Sequence, residues 1–419
     1  MCFPSSTLHT MDLDIQVPPS YPPGCKVVFV GEAPGKEEVD AKEGWIGQAG
    51  RCLQRACGVA KIPWENAGKS NVVKRRPFND SNDFDRGFYE TIEEPIYTKT
   101  GKLSKKTKRI KQPTVEYHEW LVELERELQA QSPNLVVACG NEALAAITGH
   151  KGITNYRGSV LESRWKREND GVSIKVLATE HPSYIIQGNT ERFWILAHDL
   201  KKAKREMEFP EIRREKWESY PDPMHQVERV TYALGLLRCN PSWKWTLDVE
   251  TRAGTLACFA VGYRSSSGVV ISFCVPIQTA SGAYWSPEEE LQVWEALRAT
   301  AKANPNLSNQ NIEYDIYYLL RYGVEPSGVY MDTMLAHSVL YPEFPKGLDF
   351  LCSFYLEDVV YYKGEGRDWK AGDRDIDLWG YCCKDAGFTL RVVEKIDLQL
   401  QERGLWEFYH GKLMSESKL

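Results

Sequence analysis

The sequence predicts an α/β protein of two domains, and three observations carry that prediction. Two apolar, strand-like runs, Lys26 to Val30 and Asn134 to Cys139, each enter a glycine and then a helical segment. A charged, proline-closed stretch from Lys201 to Pro223 interrupts the pattern, and a second alternation of strands and helices begins near Val227. Strand followed by helix, repeated, implies sheets covered by helices.

Each element has its own signal. The run Lys26 to Val30 leads into the glycine-rich turn Gly31-Glu-Ala-Pro-Gly35. Pro113 opens a segment in which Tyr117, Trp120, Leu121, Leu124 and Leu128 recur three or four residues apart, as one buried helix face requires. The run Asn134 to Cys139 meets Gly140 and the helical segment Asn141 to Ile147. The stretch KKAKREMEFPEIRREKWESYPDP reads as a domain exit and linker, or as a solvated helix belonging to one neighbour. Beyond it, Trp243 to Leu247 and Val269 to Val275 predict strands, and Pro287 to Ala303, Tyr314 to Tyr322 and Tyr381 to Gln401 predict helices. The expected division is a first domain over 25–205, a charged linker over 206–226 and a second domain over 227–405.

A chain of 419 residues is long enough for two or three domains. Hydrophobic residues at 42% and charged residues at 26% exclude a collagen-like, coiled-coil or disordered chain. No run of about 20 apolar residues occurs, and the N-terminus lacks a basic segment followed by an apolar one, so a cytoplasmic protein with no membrane partner is expected. The 11 cysteines contain no C-x-x-C pair, which reads as reduced thiols, many of them small core residues. A net charge of −6 argues against a uniformly basic DNA-coating protein and leaves room for local basic patches.

The second half holds the sharper chemistry. Trp245-Thr-Leu-Asp248-Val-Glu250-Thr places two acids two residues apart at the end of an apolar run, and on a strand both then point to one face. Asp315 follows in Asn309-Gln-Asn-Ile-Glu-Tyr-Asp315, and Asp385 lies four residues after Tyr381, a spacing that puts both on one side of a helix. Four carboxylates and a tyrosine suit hard cations with oxygen ligands, such as two magnesium or manganese ions acting on a phosphodiester.

In these residues the second half resembles the 3′→5′ proofreading exonuclease domain of family A DNA polymerases, the class with four acids and a tyrosine on a ribonuclease H-like mixed sheet. The resemblance runs from about Val227 to Leu405 and includes Leu-Asp248-x-Glu250-Thr, Gln310-Asn311-x-x-Tyr314-Asp315, Met331-Asp332-Thr-Met-Leu with Leu348 beyond it, and Tyr381-x-x-x-Asp385. It implies that Asp248, Glu250, Asp315 and Asp385 are metal ligands, that Tyr381 positions the attacking water, and that two divalent ions, Mg²⁺ or Mn²⁺, are the cofactors.

The first half carries four motifs in order: Gly31-Glu-Ala-Pro-Gly35, Trp45-Ile-Gly-Gln-Ala-Gly50, Asn71-Val-Val-Lys-Arg-Arg-Pro77 and Glu180-His181-Pro-Ser183. The first could hold an anion on backbone N–H groups. Together they resemble the thermophile-type family 4 uracil-DNA glycosylases, over about Cys25 to Lys204, and imply a three-layer α/β/α sandwich with a parallel sheet. The resemblance implies base flipping. Trp45 would stack on the base, Asn71 would read its edge, His181 would stabilise charge on uracil O2, and Glu32 with the turn backbone would hold the water. Pro182 and Ser183 would contact the DNA backbone. At the position of a cluster cysteine in that family stands Arg75, and the N-terminal C-x-x-C is missing, so no iron–sulfur cluster is expected. The stretch Phe78 to Lys111 is longer than the family loop and rich in lysine, which reads as a phosphate-contacting or flexible loop. Lys74, Arg75, Arg76, Lys105, Lys106, Lys108, Arg109 and Ser183 are the candidate DNA contacts.

The two halves in this order resemble the front part of family A DNA polymerases of certain large bacteriophages, which implies a host-cytoplasmic replication protein acting on single-stranded 3′ ends and primer-templates. The polymerase region would then be supplied by a separate chain or another coding segment, since Leu419 follows soon after the exonuclease resemblance. Two further functions stay open: a repair enzyme whose main chemistry is uracil excision, and a non-catalytic DNA-binding subunit of a polymerase.

Overall fold

The computed structural model describes residues 15–77, 83–97, 103–222, 226–367 and 373–416. They form two compact units, Met1–Ile212 and Arg213–Leu419. Among the described residues no helix is long and apolar enough to cross a membrane.

The strands of the first unit are β1 (Val27–Gly31), β2 (Gly68–Asn71), β3 (Tyr89–Tyr97), β4 (Leu103–Pro113), β5 (Leu135–Cys139), β6 (Val160–Lys166) and β7 (Ser173–Thr179). Five of them make a sheet in the order β2-β1-β5-β7-β6, parallel except for β6. Every residue of β1 and β5 is buried, as strands covered on both faces must be. Val27, Phe29 and Val137 pack with Leu53 and Ala56 of the Gln48–Ala60 helix and with Leu196 and Leu200 of the Phe193–Glu206 helix. Their alternating neighbours Val28, Val30, Val136 and Ala138 are equally buried, so the other face is covered too. The predicted helix after Pro113 spans Val115–Gln131 and buries Tyr117, Trp120, Leu124 and Leu128, while Leu121 is half-buried.

The stretch expected as a phosphate-contacting or flexible loop is ordered where it is described. After the short Phe84–Phe88 helix, β3 and β4 form an antiparallel ribbon with Glu93 opposite Arg109 and Glu94 opposite Lys108. Opposite charges facing across the strands stabilise such a ribbon, and this alternation is what the lysine-rich reading overlooked.

The second unit contains β8 (Trp217–Tyr220), β9 (Trp245–Arg252), β10 (Thr255–Arg264), β11 (Val270–Pro276), the two-residue pair β12 (Gln278–Thr279) and β13 (Gly282–Ala283), then β14 (Leu307–Asn309) and β15 (Val329–Asp332). The main sheet is mixed, in the order β15-β14-β9-β10-β11-β8, with β9, β10 and β11 antiparallel to one another. The expected linker over 206–226 therefore needs correction: Lys201–Glu206 completes a helix of the first unit, and β8 pairs parallel with β11 in the second sheet. Charge density concealed the short strand, whose four residues are all half-buried.

Strand alternation decides what each face of this sheet does. Leu247 and Val249 of β9, with Phe259 and Val261 of β10, enter a core with the Val227–Cys239 and Pro287–Ala303 helices. The intervening residues Ala257, Cys258, Ala260 and Cys274 face Leu378, Cys382 and Ala386 of the long Asp375–Glu402 helix. That helix lies very close to the sheet. Thr246 donates its hydroxyl to the Ala386 carbonyl at 2.7 Å, and a Cβ on Gly262 would stand 2.7 Å from the same oxygen.

Candidate functional site

Period-two geometry puts Asp248 and Glu250 on the face of β9 that the Asp375–Glu402 helix covers, and that helix carries Asp385 and Tyr381. Asp248, Glu250 and Asp385 each offer a carboxylate oxygen within 4.8 Å of the other two. Three hard oxygen donors at this separation fit a divalent cation of the magnesium or manganese class. Asp315, on the Ile312–Arg321 helix, lies outside that group of three but beside it. Its Oδ1 accepts the Val249 N–H at 2.9 Å, between the two acids of β9.

The electrostatics follow from crowding in a dry place. Burial, then the charges of Asp385 and Glu250, push the Asp248 carboxyl well above the usual range. Burial is also the main cause that raises Glu250 to about 8, with Cys258 and Asp385 adding to it. Asp315 is raised by burial and by Asp248. Such mutual penalties are what a bound cation relieves.

The start of the Asp315 helix is fixed from outside. Asn311 adopts the left-handed region at φ 56°, and Asp332 Oδ2 accepts the Ile312 N–H at 3.0 Å. Asp332 also caps its own helix through the Met334 N–H at 2.8 Å. It is 2% exposed, and it sets the position of Asp315 rather than joining the acidic group.

Two residues of this centre escaped the sequence reading. Tyr362 donates to Asp385 Oδ1 at 2.6 Å. Lys363 donates to Asp385 Oδ2 at 2.5 Å and to the Tyr381 hydroxyl at 2.7 Å. Burial raises the Tyr381 phenol, with the Asp385 charge adding to it. No spacing rule links Lys363 to an acid 22 positions away, so only the fold discloses it.

In the first unit, Glu32, Trp45, Asn71, His181 and Ser183 line one cavity of about 430 Å³ at the ends of β1 and β2. Trp45 is 5% exposed and sits at φ 63°, an uncommon conformation for a bulky residue. Its indole N–H donates to the Ser70 carbonyl at 3.1 Å. The Trp45 and His181 rings lie 5.8 Å apart. Gly31 forms the floor, because a Cβ there would be 2.5 Å from Asn71 Oδ1 and 2.7 Å from Trp45 Cζ2. Glu38, also missed, accepts the Gly35 N–H at 2.7 Å and so pins the glycine-rich turn; the signal was an acid three residues after that glycine.

His181 Nδ1 accepts the Ser183 N–H at 3.2 Å and lies 2.6 Å from the Ser183 hydroxyl. Burial pushes the imidazole down to about 4. It is therefore neutral near pH 7 with its proton on Nε2, a hydrogen-bond donor without a full charge. Glu32 moves the other way, up to about 7, through burial and the charges of Glu142 and Asp85.

The basic candidates divide. Lys74 is corrected: it is 2% exposed and spends its three donors on Ser70 Oγ at 2.9 Å, the Asn71 carbonyl at 2.8 Å and Glu127 Oε2 at 3.0 Å. It cannot reach a phosphate. Arg75 makes a two-pronged pair with Glu116 and lies 4.5 Å over the Phe88 ring. Arg76 is half-buried. Lys108 and Arg109 are exposed, the latter paired with Glu93 at 3.3 Å. The side chains of Lys105 and Lys106 lie outside the described residues.

Comparison with known proteins matches each half separately. A family described as Uracil DNA glycosylase superfamily matches residues 18–205, and one described as 3′-5′ exonuclease matches residues 260–401, which include Asp315, Tyr381 and Asp385. The type-4 uracil-DNA glycosylase of Thermotoga maritima is 28% identical over 182 residues, 43% of this chain and 76% of that protein. DNA polymerase I of Synechocystis is 35% identical over 98 residues, 22% of this chain and 10% of that protein. Among solved structures, the catalytic core of RRP6 from Trypanosoma brucei aligns with a TM-score of 0.34 at 17% identity, covering 47% of this chain and 52% of that one. The chain thus spans about half the length of that core. It combines a uracil DNA glycosylase superfamily domain with a 3′→5′ exonuclease domain.

Proposed function

We propose that this protein is a divalent-metal-dependent 3′→5′ exodeoxyribonuclease of the proofreading type, acting in DNA replication, with a glycosylase-like DNA-binding domain ahead of it. The observation that carries the reading is the convergence of Asp248, Glu250 and Asp385 from a strand and a helix to within 4.8 Å. Two ions, Mg²⁺ or Mn²⁺, held by these acids and Asp315 would supply Lewis acidity and an activated water for phosphodiester hydrolysis. The chain's own part is orientation. Tyr381, four residues before Asp385 on the helix, holds its hydroxyl where it aims a water, and Asp315 closes the acidic wall from the β9 side. The substrates are single-stranded 3′ ends and primer-templates. Phage replication is the setting that the order of the two domains favours.

The test is digestion of a 5′-labelled single strand in Mg²⁺. Full activity should vanish with Asp248→Ala combined with Glu250→Ala, and persistence of a metal-activated nuclease in that double variant would refute the assignment.

A second reading, uracil excision, is favoured by one observation: a neutral His181 faces the cavity that also holds Asn71 and Trp45. A neutral donor placed at a developing oxyanion is what cleavage of the glycosidic bond needs. Uracil-containing DNA incubated in chelator, which silences the nuclease, should yield alkali-labile sites that disappear with His181→Asn. No abasic product, or product indifferent to that change, removes this reading.

A further inference from the structure

The segment before the Gly364–Arg367 helix sends one positive charge into the acidic centre. Lys363 Nζ is bonded at once to Asp385 Oδ2, at 2.5 Å, and to the Tyr381 hydroxyl, at 2.7 Å. Its side chain is 19% exposed and that of Asp385 only 5%, so water does little to screen the pair. The same ammonium acts on Asp248 and Glu250. One lysine thus bonds one of the three acids whose oxygens lie within 4.8 Å of one another, and its charge bears on the other two.

The segment is also held in place. Gly366 lies so near the Tyr381 ring that a Cβ would stand 2.5 Å from Cε1. Lys384 of the long helix pairs with Glu365 at 2.5 Å. A surface lysine drifting into the site would have neither support.

A divalent cation coordinated by this group needs an oxygen of Asp385, and both are engaged, Oδ1 by Tyr362 at 2.6 Å and Oδ2 by Lys363. An ammonium and a dication cannot share one carboxylate oxygen without strong repulsion. The lysine stem is long and flexible, and it keeps a second acceptor in the Tyr381 hydroxyl when it lets Oδ2 go. We propose that Lys363 is the resident counter-ion of the centre, neutralising Asp385 in the metal-free protein and exchanged for the divalent cation on loading. This inference rests on the reading of Asp248, Glu250 and Asp385 as a metal centre.

Mn²⁺ binding to the full chain, followed by loss of the free-ion EPR signal without DNA, tests it. Lys363→Met should bind Mn²⁺ about tenfold more tightly or better, since one competing charge is gone, and should melt below wild type in chelator but level with it in saturating Mn²⁺. Lys363→Arg should stay near wild type. A second measurement needs no variant: amine-reactive labelling of Lys363 in wild type, read by mass spectrometry, should rise severalfold when Mn²⁺ is added. Affinity unchanged in Lys363→Met, or labelling indifferent to Mn²⁺, overturns the exchange. Wild type that takes up no Mn²⁺ overturns the metal centre itself, a distinguishable failure.

Discussion

The amide of Val249 donates to Asp315 Oδ1 at 2.9 Å, tying the strand that carries Asp248 and Glu250 to the helix that carries the fourth acid. Asp315 is 4% exposed and raised by burial and by the Asp248 charge. Asp315→Asn keeps an acceptor for Val249 while removing a charge, so in chelator it should melt at or above wild type, with nuclease activity down about a hundredfold or more. Asp315→Ala leaves the Val249 N–H without its partner and should lose about 1–3 kcal/mol as well. Identical melting of the two variants would show that the bond does not hold the strand to the helix.

Lys74 should behave as a structural cation. Its pair with Glu127, at 3.0 Å, is almost dry, with side-chain exposures of 2% and 13%. Lys74→Met leaves the Glu127 carboxylate its bonds from the Tyr21 and Ser70 hydroxyls but takes away the charge of Lys74, and should cost about 3–5 kcal/mol in chemical unfolding. The salt dependence of DNA binding should not change. Reversal of Lys108 or Arg109 on the β3–β4 ribbon should instead weaken DNA binding and flatten its slope against log salt by about one.

The cavity lined by Glu32 and His181 makes the first unit's stability depend on pH from both sides. Glu32, ordinarily near 4.5, is raised to about 7. Its burial thus favours the folded state fully below 4.5, and this support is lost as pH rises through 7. His181, ordinarily near 6.5, is lowered to about 4, so its contribution is complete above 6.5 and is lost as pH falls through 4. Melting curves should show Glu32→Gln stabilised relative to wild type above pH 7 and equal to it at acid pH. His181→Asn should lose the acid-side decline. A flat difference across both ranges would contradict this account.

Gly31→Ala probes the cavity floor. The added methyl would stand 2.5 Å from Asn71 Oδ1 and 2.7 Å from the Trp45 ring. Overpacking on that scale costs about 1–3 kcal/mol, here spent on displacing the two side chains proposed to grip a base. Fluorescence anisotropy should register roughly tenfold weaker binding of uracil-containing DNA with thymine-containing DNA little changed. Equal loss for both would mean that the cavity does not select a base.

Some of this was legible in the chain. The apolar neighbours of Asp248 and Glu250 predicted their shared face because strand alternation is local, and the spacing of Tyr381 and Asp385 predicted a common helix side for the same reason. The depth of Lys74 is not legible, because charge in a motif says nothing about burial and its partner Glu127 lies 53 positions away. Lys363 was invisible because its contacts span 18 and 22 positions. The lysines of β4 read as a loop because the glutamates that face them across the ribbon, Glu93 and Glu94, lie on another strand.

Gly262 gauges the distance between the long helix and the sheet. With the Ala386 carbonyl 2.7 Å from where a Cβ would begin, one methyl group acts as a shim. Because Asp385 is next to Ala386 in the chain, the shim would prise that carboxylate from Asp248 while every acid remained in the sequence. A homologue that kept all the acids yet bore a larger residue at this position would be a nuclease in spelling only.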